Sequence, residues 1–384
     1  PLDRHGVGRG PAPPPAADEV VKEIAEVLRG GRKTALLLGG RVWREEGLLA
    51  ASRIAEKTGA KLFCEVFPTR LQRGAGLPHV ERIAYLAEMA SVQLDELENL
   101  VLVDAKAPVS FFAYPGKKSY LVPEQCAVHN LVERDQDALT SLEALVQAVE
   151  ASDTAPKLQS SARPKLPRGR LTGAKVCQAI GALLPENAII SDEAQTSGVK
   201  LPAFTANAPK HDLLTLTGGA IGQGLPVAVG AAVACPDRPV LALAGDGSAM
   251  YTNQALWTMV NEDLDITVVV FNNRSYAILN VELERVGAEG AGIKAKSQLD
   301  LAEPPIHFVA LARSMGMSAT AVSTAEGFSK ALDHAFREPG PHLIDAIVPN
   351  EFKGLKLKAL PRVLGALDSV PAPLAKAIKQ KLAP

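Results

Sequence analysis

The chain has 384 residues, 41 basic and 42 acidic side chains, and a hydrophobic fraction of 47%. That length suggests two or three domains with sizeable cores, and aromatics at only 4% make those cores aliphatic and alanine-rich. The charge balance leaves no basic stripe for nucleic acid, and no apolar run reaches the roughly 18 residues of a membrane span.

Residues 1–17 are rich in Pro and Gly and read as a linker, which suggests that something once preceded Pro1. Asp18 then caps a helix through about Gly30, and TALLLGG (34–40) reads as a short buried strand. A helix over 44–58, a strand over 61–67, a glycine-rich loop, a helix near 81–91 and a strand over 99–105 follow. LVERDQDALTSLEALVQAVE closes this stretch with an amphipathic helix, and the first domain is placed at 18–150. A polar, proline-containing linker covers 151–170, and a second domain covers 171–349. The latter opens with a helix, the strand 188–191 and a loop from Asp192 to Gly198. LTLTGGAIGQGLP is a further loop leading into a helix from about Pro226. Residues 350–384 form a basic C-terminal tail. Strands alternating with helices predict an α/β fold with two doubly wound parallel-sheet domains, the first of them Rossmann-like. No internal repeat is present.

The four cysteines, Cys64, Cys126, Cys177 and Cys235, form no CxxC pair. They read as buried free thiols and point to a reducing, cytoplasmic location.

The stretch Val240–Ala277 carries the chemistry. VLALAG is a continuous apolar run, as expected of a strand buried on both faces, and GDGS turns at its carboxyl end. Open parallel sheets bind ligands there. Gly245 and Gly247 admit a close backbone approach, and Ser248 and Ala249 begin a helix whose amides can face an anion. A second apolar strand ends at Asn272-Asn273, 27 residues after Asp246, a spacing that fits one turn, one helix and one strand. An Asp carboxylate, an Asn amide oxygen and a backbone carbonyl give hard oxygen ligands for Mg²⁺, completed by phosphate and water.

GDGS followed by NNRSYA at this spacing resembles the diphosphate-binding motif of thiamine-diphosphate enzymes. TGGAIGQGLPVAVGAAVACPDRPVLALAGDGS is similar to the matching region of benzoylformate decarboxylase and acetolactate synthase. FPTR and KAPVSFFAYPG resemble the middle domain of benzoylformate decarboxylase. The resemblance implies a thiamine-diphosphate-binding second domain, with Asp246, Asn273 and the Ser275 carbonyl on Mg²⁺. It implies Gly245, Gly247, Ser248, Ala249, Tyr276 and Ala277 around the diphosphate, and Gln195 and Thr196 on a second diphosphate loop. Ile221 would prop the cofactor into its bent shape, and Gly219 would offer its carbonyl to the aminopyrimidine. Without the resemblance Ile221 reads as a core residue, and Gln195 and Thr196 as plain loop residues. The activity implied is decarboxylation or carboligation of a 2-oxo acid, by a dimer or tetramer.

The chain departs from that family in three ways. The glutamate that activates the pyrimidine ring lies in a pyrimidine-binding domain, expected upstream or on a separate chain, so no catalytic residue is assigned here. Glu193 sits on the diphosphate side and does not replace it. The PVSFFAYPG loop lacks the histidine of benzoylformate decarboxylase, and the first domain has only Gly39-Gly40, so FAD is not predicted. The alternative to an enzyme is a cofactor-binding module, a fragment or one subunit of a split enzyme. A dinucleotide-binding reading lacks GxGxxG and leaves Asn273 unexplained. His79, His129 and His307 are isolated, and no GxSxG element is present.

Overall fold

The computed structural model describes residues 12–114, 116–133, 135–286 and 292–351, together with Val363. The first 11 residues of the expected linker and most of the expected tail lie outside the described residues. The chain divides into two compact units. The first comprises Pro1–Val66, Pro78–Phe112 and Lys118–Lys157, and the second Phe67–Leu77, Ala113–Lys117 and Leu158–Pro384. Two short segments inside 18–150 therefore group with the second unit, and the 151–170 stretch divides after Lys157.

The first unit holds the strands β1 (Thr34–Leu38) and β2 (Lys61–Cys64); the next in chain order, β3 (Leu71–Arg73), belongs to the second unit. It also holds β4 (Glu81–Arg82), β5 (Asn99–Val103) and β6 (Ala127–Val132). Their order is β4-β2-β1-β5-β6, with every pairing parallel. All five residues of β1 and of β5 are buried, as expected of strands covered on both faces. Alternate residues Ala35, Leu37, Leu100 and Leu102 share one core layer with Ala87, Ala90 and Leu94 of the helix Ala87–Leu94.

Several elements here differ from the sequence expectation, among them β6, which is not expected, and β2, which ends at Cys64 rather than at 67. The first helix is Asp18–Arg29 with Ala17 at its cap; Asp18 sits inside the first turn, where a carboxylate favours the helix dipole. The helix expected near 81–91 is instead β4 followed by Ala87–Leu94. Gln93 holds that stretch extended: its Oε1 accepts from Ala84 N at 2.7 Å and its Nε2 donates to Arg82 O at 2.9 Å. The last helix starts only at Ala138, where the Asp137 carboxylate accepts from Leu139 N at 3.1 Å.

The second unit contains β7 (Ile189–Glu193), β8 (His211–Thr215), β9 (Val240–Gly245), β10 (Ile266–Asn272), β11 (Ser318–Val322) and β12 (His342–Ile347). With β3 they order as β11-β12-β10-β9-β7-β8-β3. Only β3, on the edge, runs antiparallel to its neighbour. Part of β8 falls in the stretch expected to be loop.

Side-chain alternation along β9 and β10 sorts the core into two layers. Leu241, Leu243, Val269 and Phe271 pack with Val176, Ile180, Phe328 and Leu332. Val240, Ala242, Val268 and Val270 pack on the other face with Leu225, Ala228, Met259 and Phe308. From β7 the chain passes to β8 on one side and to β9 on the other. The crevice at the carboxyl ends of β7 and β9 is thus the switch point of this sheet, where such folds bind ligands.

Candidate functional site

β9 ends at Gly245, and Asp246 opens a short helix, Asp246–Tyr251. Register places Phe271 of β10 beside Gly245, so the chain leaving β10 at Asn272 runs alongside Asp246. Asp246 is 3% exposed. Its Oδ1 accepts from Gly247 N at 2.9 Å, and its Oδ2 from Arg274 N at 2.5 Å. Burial pushes its carboxyl up to about 6, against the pull of the Gly247, Arg274 and Ser275 amides.

The two asparagines that end β10 do different work. Asn272 Nδ2 donates to the buried Asp345 carboxylate at 3.0 Å, which ties it to the neighbouring strand. Asn273 Nδ2 donates to Ser197 Oγ at 3.0 Å, while its Oδ1 is buried with no hydrogen-bond partner. A buried carboxylate beside an orphaned amide oxygen is the donor set a hard cation satisfies. Among the described residues no three His, Cys, Asp or Glu side chains group to hold a metal. A cation here would therefore draw on amide, carbonyl and phosphate oxygens as well as Asp246.

Arg274 takes a left-handed φ of 59° and turns the chain, so that Ser275 bridges to Asp300 and Tyr276 N donates to Leu299 O at 3.0 Å. Ala277 N donates to Ser275 O at 2.8 Å. The amides of Tyr276 and Ala277 are therefore already engaged, and the Ser275 carbonyl keeps one further lone pair. The Tyr276 ring lies against Gly247, where an added Cβ would stand 2.2 Å from Tyr276 Cε1. At Gly247 the missing side chain makes room for this ring; at Gly245 an added Cβ would meet nothing closer than 3.7 Å. Ser248 and Ala249 are both buried; Ser248 N lies in the first helical turn, where an amide lacks an intrahelical partner, and Ala249 is the first residue placed to bond back to the Gly245 carbonyl.

Gln195 and Thr196 begin the short helix Gln195–Gly198 directly after β7. The same helix supplies Ser197 to Asn273, so this segment and the Asp246–Asn273 pair converge. Gly219 and Ile221 lie in the turn between β8 and the helix Gly224–Ala234, and Ile221 is half-buried rather than in the core. Ser197, Glu193 and Thr252 also bear on the site. Sequence reading passed over Ser197 and Thr252 because a lone hydroxyl in a loop carries no periodic or spacing signal.

Residues 194–346 match the C-terminal TPP-binding domain of thiamine pyrophosphate enzymes. A Mycobacterium tuberculosis protein provisionally named acetolactate synthase large subunit IlvX is 53% identical over 347 residues, covering 90% of this chain and 67% of the relative. The benzoylformate decarboxylase of Pseudomonas aeruginosa is 31% identical over 220 residues, covering 54% of this chain and 39% of that protein. Among solved structures, the thiamine diphosphate-dependent 4-hydroxybenzoylformate decarboxylase of Rhodococcus jostii RHA1 superposes with a TM-score of 0.75 at 24% identity. That match covers 89% of this chain and 66% of the other. The chain thus spans about two thirds of the length of these relatives along which it aligns most fully.

Proposed function

Because the chain belongs to the thiamine pyrophosphate enzymes, the family of acetolactate synthases and 2-oxo acid decarboxylases, we propose that it is the cofactor-binding part of an enzyme that decarboxylates or carboligates a 2-oxo acid. The observation that carries this reading is the buried, unpartnered Asn273 Oδ1 beside the buried Asp246 carboxylate at the ends of two adjacent strands. Asp246, Asn273 Oδ1 and the Ser275 carbonyl would hold Mg²⁺, which takes about six oxygens in all. The first-turn amide at Ser248 would receive the diphosphate, with Gly245, Gly247, Ala249 and Tyr276 shaping its berth and Ala277 behind it. Gln195 and Thr196 would close the diphosphate from the β7 side. Gly219 and Ile221 would take the organic half.

When bound, thiamine diphosphate supplies a carbon nucleophile and an electron sink for loss of CO₂ from a 2-oxo acid. The protein's share is to fix the cation, bend the cofactor and keep water away. A carboxylate on the pyrimidine ring is also required. Glu193 does not supply it, because its Oε2 accepts from Gly222 N and Gly224 N and its Oε1 is sealed from solvent. We therefore place that carboxylate on a pyrimidine-binding domain, elsewhere in a longer chain or on a second chain, and expect a dimer or tetramer. A cytoplasmic setting is in keeping with four free cysteines. Among the described residues no helix is long and apolar enough to cross a membrane.

Calorimetric titration of the 384-residue chain with thiamine diphosphate and Mg²⁺ tests the site, alongside turnover of pyruvate and benzoylformate. Metal-dependent binding with turnover is expected of the enzyme. Binding without turnover would favour a cofactor module that needs a partner. Absence of binding, with Asp246→Asn making no difference, would sink both.

A further inference from the structure

Glu193 is the last residue of β7, at the switch point of the second sheet, and is fully buried. A single oxygen, Oε2, accepts from Gly222 N at 2.9 Å and from Gly224 N at 3.0 Å. The other, Oε1, is sealed from solvent and has no hydrogen-bond partner. The contact is built from both sides. At Gly224 an added Cβ would stand 2.6 Å from Glu193 Cγ, so the carboxylate packs directly on glycine backbone. Gly222 takes a φ of +93°, a conformation that glycine adopts freely. Two neighbours complete the anchor: Ser191 Oγ donates to Gly224 O at 2.8 Å, and Thr252 Oγ1 donates to Gly222 O at 2.6 Å.

A buried carboxylate with half its acceptor capacity unused is a poor source of stability, and an apolar residue of similar volume would serve a core better. What this carboxylate achieves is position. The anchored residues, Gly222 to Gly224, are buried or half-buried, while Gly219, Ala220 and Ile221 just before them are half-buried or exposed. The anchors come from β7, which leads into Gln195–Gly198, and from Thr252, which follows the helix opened by Asp246.

We propose that Glu193 is a positioning residue for the cofactor: through the Gly222 and Gly224 amides it presets the Gly219–Ile221 turn for the organic half of thiamine diphosphate. This rests on the cofactor reading of the site given above. It makes a demand that reading does not: Glu193 matters to the thiamine end of the ligand and not to the diphosphate end.

The 384-residue chain is titrated with two ligands in the presence of Mg²⁺, thiamine diphosphate and inorganic pyrophosphate. Glu193→Ala leaves two buried N–H groups unpaired. Glu193→Asp keeps the charge but is too short to reach both amides, and it stands as the second variant if the alanine chain does not fold. Both should bind thiamine diphosphate about tenfold or more weakly, with pyrophosphate affinity within about twofold of wild type. Glu193→Gln, whose amide oxygen can accept both N–H groups, should restore thiamine diphosphate binding to within about threefold. Wild-type thiamine diphosphate binding by the Ala and Asp variants would overturn the proposal, as would equal loss of both ligands in all three variants. A wild-type chain that binds neither ligand would overturn the reading of the site itself.

Discussion

Each of the two sheets has a switch point, between β1 and β5 in the first unit and between β7 and β9 in the second. Glycines and an aspartate stand at the strand ends in both. In the first, Gly39-Gly40 follows β1 and Asp104 follows β5. An added Cβ at Gly39 would lie 2.2 Å from Asp104 O, and one at Gly40 would lie 1.6 Å from Asp104 Oδ2. The space those glycines open is filled by the chain's own aspartate, which also accepts from Arg41 N at 3.4 Å. In the second, the Asp246 carboxylate is buried and Asn273 Oδ1 has no hydrogen-bond partner. Topology supplies a crevice in both places. What separates a ligand site from a closed turn is whether polar groups there remain unsatisfied.

The largest expected effect breaks the second crevice at its charge. Asp246→Asn keeps the shape and one acceptor but removes the carboxylate. Metal-dependent binding of thiamine diphosphate should fall by about 100-fold or more, beyond the roughly 10–100-fold of changes behind a metal ligand. The same change gives up one of the two backbone N–H contacts of the carboxylate, and it should remove the pH dependence that this carboxyl gives the ligand-free chain. The Asp246 carboxyl rises from 3.8 to about 6 on folding, so the stability it contributes is present below 3.8 and lost as pH passes 6. A neutral amide escapes that loss, worth about 1–3 kcal/mol. Calorimetry and urea unfolding read the two effects. Weaker binding with the pH dependence of stability unchanged would contradict the burial of the Asp246 charge.

How much of this was legible in the sequence depended on where the signal lay. The buried strands β1, β5, β9 and β10 announced themselves as continuous apolar runs. β6 did not, because its first four residues are exposed or half-buried and His129 and Asn130 interrupt it. β4 was hidden because Glu81 and Arg82 carry no strand pattern and owe their extended form to pairing with β2 and to the distant Gln93 side chain. At the candidate site, Asp246 and Asn273 stood out because each follows an apolar strand run and 27 residues separate them. The role of Gly247 did not: only the fold shows that the Tyr276 ring lies where its side chain would be. Glu193 is expected on the diphosphate side, but its reach to the turn after β8 depends on Gly222 and Gly224, some 30 residues on.

Gly247 and Gly40, one at each crevice, sharpen the comparison. Gly247→Ala forces the Tyr276 ring to move, at the roughly 1–3 kcal/mol typical of overpacking, and should weaken thiamine diphosphate binding as well. Gly40→Ala meets Asp104 Oδ2 at 1.6 Å and a φ of +51°, so it should destabilise comparably while leaving cofactor affinity unchanged. If Gly40→Ala also weakened cofactor binding, the contrast between the crevices would fail.

A smaller effect separates the units by pH. In the first, the shifted carboxylates Glu124 and Asp137 are held below their usual range, chiefly by hydrogen bonds from Lys118 and Thr140. Their contribution is present at neutral pH and lost on acidification. In the second, burial raises Glu193 from 4.5 to about 7, so its contribution is present below 4.5 and lost as pH rises through 7. Glu193→Gln should therefore raise the melting temperature at pH 8 by a few degrees, corresponding to about 1–2 kcal/mol. The gain should shrink towards zero near pH 4.5. A gain of equal size at both pH values would show that burial of charge is not its origin.

The smallest expected effect falls on the first crevice. Asp104 adopts a φ of 50°, which asparagine tolerates as readily as aspartate, so Asp104→Asn changes charge and little else. The hydrogen bond it makes to Arg41 N is exposed and long at 3.4 Å, so the change should cost no more than about 0.5–1 kcal/mol. Affinity for thiamine diphosphate should stay within about twofold, since 1.4 kcal/mol is needed for tenfold. The same Asp→Asn exchange is thus made at the end of β5 and just past β9, at one turn whose space the aspartate itself fills and one where a buried carboxylate adjoins an unpartnered amide oxygen. Urea midpoints and calorimetric titration of both variants measure the difference. A cofactor-affinity loss for Asp104→Asn approaching that of Asp246→Asn would contradict the assignment of the ligand to the second crevice.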